Sequence, residues 1–443
     1  MDQEHIIIIG AGASGLIAGR MLSRAGKKVT ILEARSRPGG RIYTLVYGPF
    51  SNPVEAGAEF IHGRLPITFE LLQEAKIKPE KVKGNMISVV NGRLKDNHAF
   101  SENDALFKRE LKSLVEDIPV DLFLDTHFPG EKHAAFRKEI RGFVEGYDAA
   151  DASRASTFAL RDEWLTDDDK EQFRIPGGYN RLVSFLVKEC EKNGAKIHYS
   201  STVRNIDWVN GHVTVTTEQG TVYEGMKSVV TLPLGVLVPP GGGASSITFT
   251  PAVSDHMETF RKLGYGTVIK TALEFESRFW AGKEIEERTG IRMENTAFIF
   301  SDESVPAWWD QRSPDSTLLT GWMAGPRAME RKYADDETIL AEAISSLANI
   351  FREEPRYLTN RLKMWKVVNW GSDPLSMGAY SYSTVNSLKS IHFLQKPAGN
   401  TIFFAGEALY TGTARATVEA ALESGIHAAG SILTPAEFVN SGR

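Results

Sequence analysis

Three glycines in "IIIIGAGASGL", Gly10, Gly12 and Gly15, have the spacing that lets a chain approach a diphosphate. Gly10 permits the tight turn, Gly12 admits the pyrophosphate against bare backbone, and Gly15 lets the following helix lie close on the strand with its amino end toward the phosphates. The motif alone is common; its surroundings are not. Ile6 to Ile9 read as a strand buried on both faces, a helix follows, and "KKVTILEA" supplies a second strand ending in Glu33, placed to accept hydrogen bonds from a ribose. Directly after it, "RSRPGGRIYT" adds a second glycine pair, Gly39 and Gly40, beside Arg41. A second close backbone approach with a fixed cation suits a dinucleotide gripped along its length, and the combination points to FAD.

The elements that must position these residues are unevenly spread along the 443 residues. From about residue 76 to 190 the pattern turns helical and charged and does not read as part of a sheet. Strand patterns return in "AKIHYSSTVRNIDWVNGHVTVTTEQGTVYEGMKSVVTLP", with a hairpin turn at Asn210-Gly211. "GTVIKTALEFE" is a further strand, and a tryptophan-rich mixed region follows. The chain closes with a buried strand in "NTIFFAGEAL" and a long helix in "TARATVEAALESGIHAAGSIL". The first and last strands are both of the buried parallel type, so the two ends are expected to meet in one domain. The expected architecture is α/β: a Rossmann-like FAD-binding domain from residues 1–75, 190–256 and 378–443, interleaved with a mixed α+β substrate domain from residues 76–189 and 257–377.

The net charge of −5 offers no basic face for nucleic acid. A single cysteine, Cys190, excludes an intramolecular disulfide and fits a reducing compartment. The first strand begins at His5, so no secretory leader is expected, and no apolar run reaches the roughly 18 residues of a membrane helix. A cytoplasmic protein without membrane or nucleic-acid partners is the expectation, as a monomer or a homodimer.

Eight stretches in order, "IIIIGAGASGL", "LEARSRPGGRIYT", "VEAGAEFIHG", "IPGGYNRL", "VVTLPLGVL", "TVIKTALEF", "DPLSMGAYSY" and "FFAGEALYTGTARATVEAALESG", resemble the flavin-containing amine oxidases, the family of monoamine and polyamine oxidases and lysine-specific histone demethylases. The resemblance covers nearly the whole chain and implies FAD extended beneath a substrate domain. By it, the cofactor is lined by Gly10, Gly12, Ala13, Ser14, Gly15, Glu33, Ala34, Arg35, Gly39, Gly40, Arg41, Gly57, Ala58, Glu59, Val203, Gly406, Glu407, Thr417 and Val418. The catalytic positions carried over are Lys270, Tyr380, His62 and Thr417. Lys270 matches the lysine that holds a water near the flavin N5. Read from its own strand, it shares a face with Val268, Ala272 and Glu274 that a solvated surface would equally explain.

His62 matches the histidine of polyamine and spermine oxidases, with Phe60 where those enzymes often carry tryptophan. Tyr380 matches the aromatic that stands over the flavin. Ala379 stands where monoamine oxidases have a cysteine joined to the flavin, so the FAD is expected to be non-covalent. Thr417 replaces the second tyrosine of an aromatic sandwich; Ala416-Thr417-Val418 is similar to the demethylase branch. The chain lacks that branch's chromatin-binding domains, and a histone substrate is not expected.

Glu145, Asp148 and Asp151 are candidates to meet a cationic amine, and Trp308, Trp309 and Trp365 to line the cavity or pack in the core. The reaction implied is hydride transfer from the carbon next to a neutral amine nitrogen to the flavin, with small-molecule amine and O2 as partners and no metal. The alternatives are an L-amino-acid oxidase of the same superfamily, for which Arg64 is the candidate carboxylate clamp, a desaturase-like enzyme, and a flavoprotein without turnover.

Overall fold

A computed structural model describes the chain except residues 1–3, 47, 49, 91–92, 97–102, 166–170, 244, 311–315 and 443. A five-stranded, all-parallel sheet sits at the centre of the nucleotide-binding half. Its strands are β1 (His5–Ile9), β2 (Lys28–Leu32), β3 (Lys196–His198), β4 (Lys227–Val230) and β5 (Ile402–Phe404), in the order β3-β2-β1-β4-β5. Ile6, Ile7 and Ile8 are fully buried because β1 pairs on both sides, with β2 and β4, and is covered on both faces. Each such side chain contributes roughly 1.5–3 kcal/mol of burial. The strand order reverses between β1 and β4, and that switch point is where open α/β sheets bind ligands, beyond the carboxyl ends of the strands.

Helix α1 (Ala13–Arg24) leaves β1 at that point and packs between α3 (Asn180–Lys192) and α4 (Val418–Ile432); α2 (Ala134–Gly146) belongs to the other half. Both ends of the chain thus meet in one core, through β1 with β5 and α1 with α4. The contact of α1 with α4 is close enough that a Cβ on Gly425 would lie 2.3 Å from the Ser14 carbonyl oxygen. Helix α3, which the sequence boundary at residue 189 divides, packs as one unit against α1 through Leu182, Val183, Leu186 and Cys190. A four-stranded sheet carries the hairpin at Asn210-Gly211, where Gly211 has φ +80° and Val209 pairs with His212.

The other half is built on a seven-stranded sheet. From one edge to the other it runs Leu362–Asn369, Val268–Phe275, Leu318–Ala324, Ala307–Asp310, Thr296–Phe300, Asn85–Val90 and Arg93–Asp96. The last two strands correct the reading that residues 76–190 hold no part of a sheet. The run Ile87, Ser88, Val89 has strand character that the charged helices downstream obscure, and Asn85–Val90 joins the sheet by parallel pairing with Thr296–Phe300.

The long helical stretch around residue 147 is broken rather than continuous. Helix α2 ends at Gly146, Ala149 adopts φ +52°, and the next helix is Thr157–Leu165. The break is held by close backbone contact, since a Cβ on Gly266 would meet the Ala149 carbonyl oxygen at 2.2 Å. Among the described residues no helix is long and apolar enough to cross a membrane.

Candidate active site

The glycines of the fingerprint divide into two kinds. Gly15 is required by packing, because a Cβ there would lie 2.0 Å from the Gly10 carbonyl oxygen; Gly10 itself has φ +106°. Gly12, Gly40 and Gly406 instead border open space: an added Cβ meets nothing within 4 Å at Gly12 or Gly406, and at Gly40 only the Gly12 Cα at 3.7 Å. The second glycine pair is locked onto the first, since the Gly39 N–H donates to the Ala11 carbonyl at 2.8 Å. Ser14 has a buried hydroxyl with no partner, and α1 begins at Gly12 without a side-chain cap, leaving amino-terminal N–H groups for an anion. Glu33 accepts from the N–H groups of Ala11 and Arg35, both at 2.8 Å; burial raises its carboxyl pKa, and these bonds oppose the rise. An unclaimed hydroxyl, an uncapped helix and a bare backbone cradle ending at an acid fit a dinucleotide.

Arg41 and Glu407 close the far side of this cradle. Arg41 Nη1 donates to the Ala379 carbonyl at 2.6 Å and to Glu407 at 2.8 Å, and Glu407 also accepts from the Ser381 hydroxyl at 2.6 Å. Arg35 is spent elsewhere, bidentate to Asp373 at 2.7 and 3.1 Å. Gly57 is held by backbone contact, its would-be Cβ 1.9 Å from the Arg41 carbonyl oxygen, while the Ala58 N–H donates to that oxygen at 3.1 Å. Val203 is buried in the core beside the hairpin, and Val418 opens α4.

Lys270 lies on Val268–Phe275, all eight residues of which are buried, so the solvated-face explanation does not hold. Its ammonium donates to Glu59 Oε2 at 2.6 Å and to the Gly57 carbonyl at 3.2 Å, and sits 5.4 Å from the centre of the Trp309 ring. Glu59, carried over as a cofactor residue, is therefore the partner of Lys270. Its other oxygen accepts from Trp309 Nε1 at 2.9 Å and lies 3.0 Å from Arg174 Nη2. Burial alone would raise the Glu59 pKa; Lys270 and Arg174 outweigh it and hold the carboxyl below its ordinary value.

A band of rings runs from this cluster. Tyr380 and Trp322 lie nearly parallel, 18° apart with centroids 6.4 Å apart; Trp322 is followed by Trp309, Phe60 and His62. The Tyr380 hydroxyl donates to the Tyr147 carbonyl at 2.6 Å, and the Tyr147 hydroxyl lies 3.3 Å from His62 Nδ1. Burial lowers the His62 pKa to about 4, which keeps the ring neutral at physiological pH. Tyr147 exposes 45% of its surface, yet poor solvation of the phenol by its neighbours pushes it well above its usual pKa.

Asp148 and Glu163 adjoin this tyrosine pair. Poor solvation and their mutual repulsion raise Asp148; poor solvation raises Glu163; Arg415 opposes both shifts. Two such carboxyls do not ionise independently.

Other candidates are used differently. Thr417 caps α4, accepting from the Ala420 N–H at 3.2 Å and donating to the Ala414 carbonyl at 2.7 Å. Arg64 has a side chain 64% exposed and pairs with Glu171, and so does not form a buried carboxylate clamp. Asp151 is engaged in a local turn with Ser153, and Glu145 lies in the field of Asp121 and Arg327. Trp308 is a fully buried core residue donating to the Val305 carbonyl, and Trp365 packs on the same core; only Trp309 of the three joins the ring band. Cys190 is buried against α1, its thiol pushed up to about 12 by burial, and it is the chain's single cysteine.

Arg174, Tyr147, Glu163 and Trp322 escaped the sequence reading. Each lies on a short strand, a helix end or an alternating run whose local pattern fits ordinary packing. Among the described residues no three His, Cys, Asp or Glu side chains group to hold a metal.

The family model for flavin-containing amine oxidoreductases matches residues 13–433, and the chain belongs to that family. FAD is accordingly the cofactor that the cradle fits, and Ala379 with the remote Cys190 leaves no cysteine thiol to attach it. A lysine-specific histone demethylase 1 homologue 2 from Oryza sativa is 28% identical over 98% of the chain, and polyamine oxidase 4 from the same plant is 27% identical over 96%. The chain spans 57% of that demethylase homologue and 87% of the polyamine oxidase. Of solved structures, putrescine oxidase bound to putrescine superposes with a TM-score of 0.77 at 19% identity, covering 97% of this chain and 99% of that one. Cyclohexylamine oxidase from Brevibacterium oxydans also gives 0.77, at 18% identity, covering 97% and 98%. These two share the fold.

Proposed function

We propose that the chain is an FAD-dependent amine oxidase whose substrate is a small amine carrying a second positive charge. The observation that carries the reading is the contiguity of two environments. A band of rings from Tyr380 to His62 holds a neutral imidazole, and the poorly solvated carboxyls of Asp148 and Glu163 adjoin it through Tyr147. Bound FAD supplies the acceptor for a hydride from the carbon next to the amine nitrogen, the resulting imine hydrolyses to aldehyde and amine or ammonia, and O2 takes the electrons on as hydrogen peroxide.

The residues of the chain supply the setting. The rings favour the uncharged form of the reacting nitrogen and exclude water. His62, neutral itself, adds no charge to repel an incoming cation. The Tyr380 hydroxyl is tied to the Tyr147 backbone, which fixes the ring's attitude. Asp148 and Glu163 attract the distal ammonium, and its charge draws the pair toward ionisation. Lys270 supplies a fixed buried cation on the Gly57 side. The polyamine and putrescine oxidase relatives support this substrate class; the exposed Arg64 weakens the amino-acid alternative.

The test is anaerobic mixing of the yellow holoprotein with putrescine, spermidine, butylamine, benzylamine and L-amino acids while the flavin absorbance is followed. Fastest bleaching by a diamine or polyamine is expected. Bleaching by amino acids alone, or by dithionite and no amine, would overturn the reading.

A further inference from the structure

We propose that Glu59 is a positioning residue that keeps Lys270 charged and aimed, with Arg174 as the second cation that keeps Glu59 itself ionised. The inference rests on the reading in which Lys270 serves the flavin. The side chains of Lys270 and Glu59 are 2% and 4% exposed, so each ion has lost nearly all its hydration. A buried ammonium without a counter-ion carries a large desolvation cost, and the carboxylate of Glu59 at 2.6 Å offsets it.

The neighbours leave that task to Glu59. On the flanking strands Lys270 stands opposite Trp322 and Val368, neither of them charged. Glu55 is the other carboxyl whose field reaches Lys270, but burial pushes it up to about 7, and its oxygens are taken by the Tyr179 N–H at 2.6 Å and the Thr44 hydroxyl at 2.8 Å. Glu274, on the same strand, accepts from the Ser51 N–H and lies 4.0 Å from Lys363.

Arg174 is held by charge rather than by hydrogen-bond geometry. Its Nη2 lies 3.0 Å from Glu59, yet Nε and Nη2 are buried without a well-aligned acceptor, and the guanidinium rests 4.7 Å from the centre of the Phe60 ring. One carboxylate between two cations cannot readily be neutralised, and it leaves Lys270 a permanent donor instead of a base. Trp309 occupies the second Glu59 oxygen and fixes the direction in which that carboxylate faces Lys270.

The experiment uses holoprotein of the wild type, Glu59→Gln, Lys270→Met and the double variant. The flavin is reduced with dithionite, mixed with aerated buffer, and its reoxidation followed between about pH 6 and pH 10, the range in which a buried lysine deprived of its partner titrates. The visible spectrum of the oxidised flavin is recorded over the same range and needs no turnover. The wild type is expected to give a flat profile over this range. Glu59→Gln is expected to reoxidise about tenfold more slowly at the upper end than at the lower, one unit of protonation being a factor of ten, with a spectral change at the same midpoint. Both signals should vanish in the double variant, whose rates should match Lys270→Met.

A Glu59→Gln protein with the wild-type pH profile and spectrum, altered only in melting temperature or flavin content, would overturn the proposal. If Glu59→Gln does not hold flavin, Arg174→Met replaces it: with one cation gone Glu59 protonates more readily, and the spectrum of the oxidised flavin should change at the acid end of the range, where that of the wild type does not. A spectrum without that acid-side change would overturn the proposal equally. Because dithionite and air replace the amine, a chain that no amine reduces would defeat the functional reading while leaving this test intact.

Discussion

Around Gly12, Gly40 and Gly406 the backbone stands open because side chains are absent, whereas Tyr147, Asp148 and Glu163 present side chains whose ionisation is shifted by their surroundings. The first kind of site is made by backbone, which cannot shift without disturbing β1, α1 and their neighbours. The second is made by rotamers and charges on a helix break and on the helix that follows it, which can be exchanged without moving the sheet. The same fold can therefore keep its cofactor while changing what it oxidises.

The sharpest way to break the comparison lies within the fingerprint. Gly15→Ala drives a Cβ to within 2.0 Å of a backbone oxygen and should yield no stable yellow protein. Gly12→Ala meets nothing and has an ordinary φ of −76°, so it should fold with the melting temperature of the flavin-stripped wild type yet hold no flavin. Equal damage from both, by melting curves and flavin content, would mean that the open space at Gly12 is not a cradle.

Lys270→Met should come next, slowing flavin reduction or reoxidation by about 10²-fold in stopped flow, the usual cost of losing one fixed charge or donor at a reacting centre. Unchanged rates would remove Lys270 from the mechanism.

A smaller effect concerns pH. Glu163 is exposed at the surface of its helix, yet poor solvation by the groups crowding its carboxyl raises it from 4.5 to about 7, against the pull of Arg415. The folded protein holds this proton longer than the unfolded chain does, so the group costs stability as pH rises from about 4.5 to about 7. Over the same rise the carboxylate forms and diamine binding should tighten. Glu163→Gln should flatten both trends in melting and KM profiles; a wild type without either trend would contradict the assignment.

The smallest effect expected is that of Thr417→Val. It removes a helix cap worth about 1 kcal/mol and should lower the melting temperature without altering the order of substrates.

The half built on the five-stranded parallel sheet was far more legible from sequence than the half built on the seven-stranded sheet, for the same physical reason. Gly10 and Gly15 are demanded by backbone geometry, and Gly12 and Glu33 stand at the fixed spacing from them that a dinucleotide cradle needs, so the sequence displays the requirement directly. Lys270 and Glu59 are far apart in the chain, and their pairing follows from packing the strand Val268–Phe275 over the loop at Gly57, which no local pattern encodes. Tyr147 and Glu163 belong to an interrupted helical run whose break depends on Ala149 meeting Gly266, a tertiary contact. The strand Asn85–Val90 was hidden by its charged surroundings, and Thr417, read as part of the reaction site, also caps the start of α4, a role that no local pattern singled out.

The most direct test of the account compares anaerobic flavin bleaching by putrescine and by butylamine in the wild type and in an Asp148→Asn/Glu163→Gln double variant. The account predicts a wild-type preference for putrescine that falls by about tenfold or more in the variant, as expected when a charge partner of an ammonium is lost, with the butylamine rate retained. Equal loss with both amines, or a preference that survives the double substitution, would contradict it.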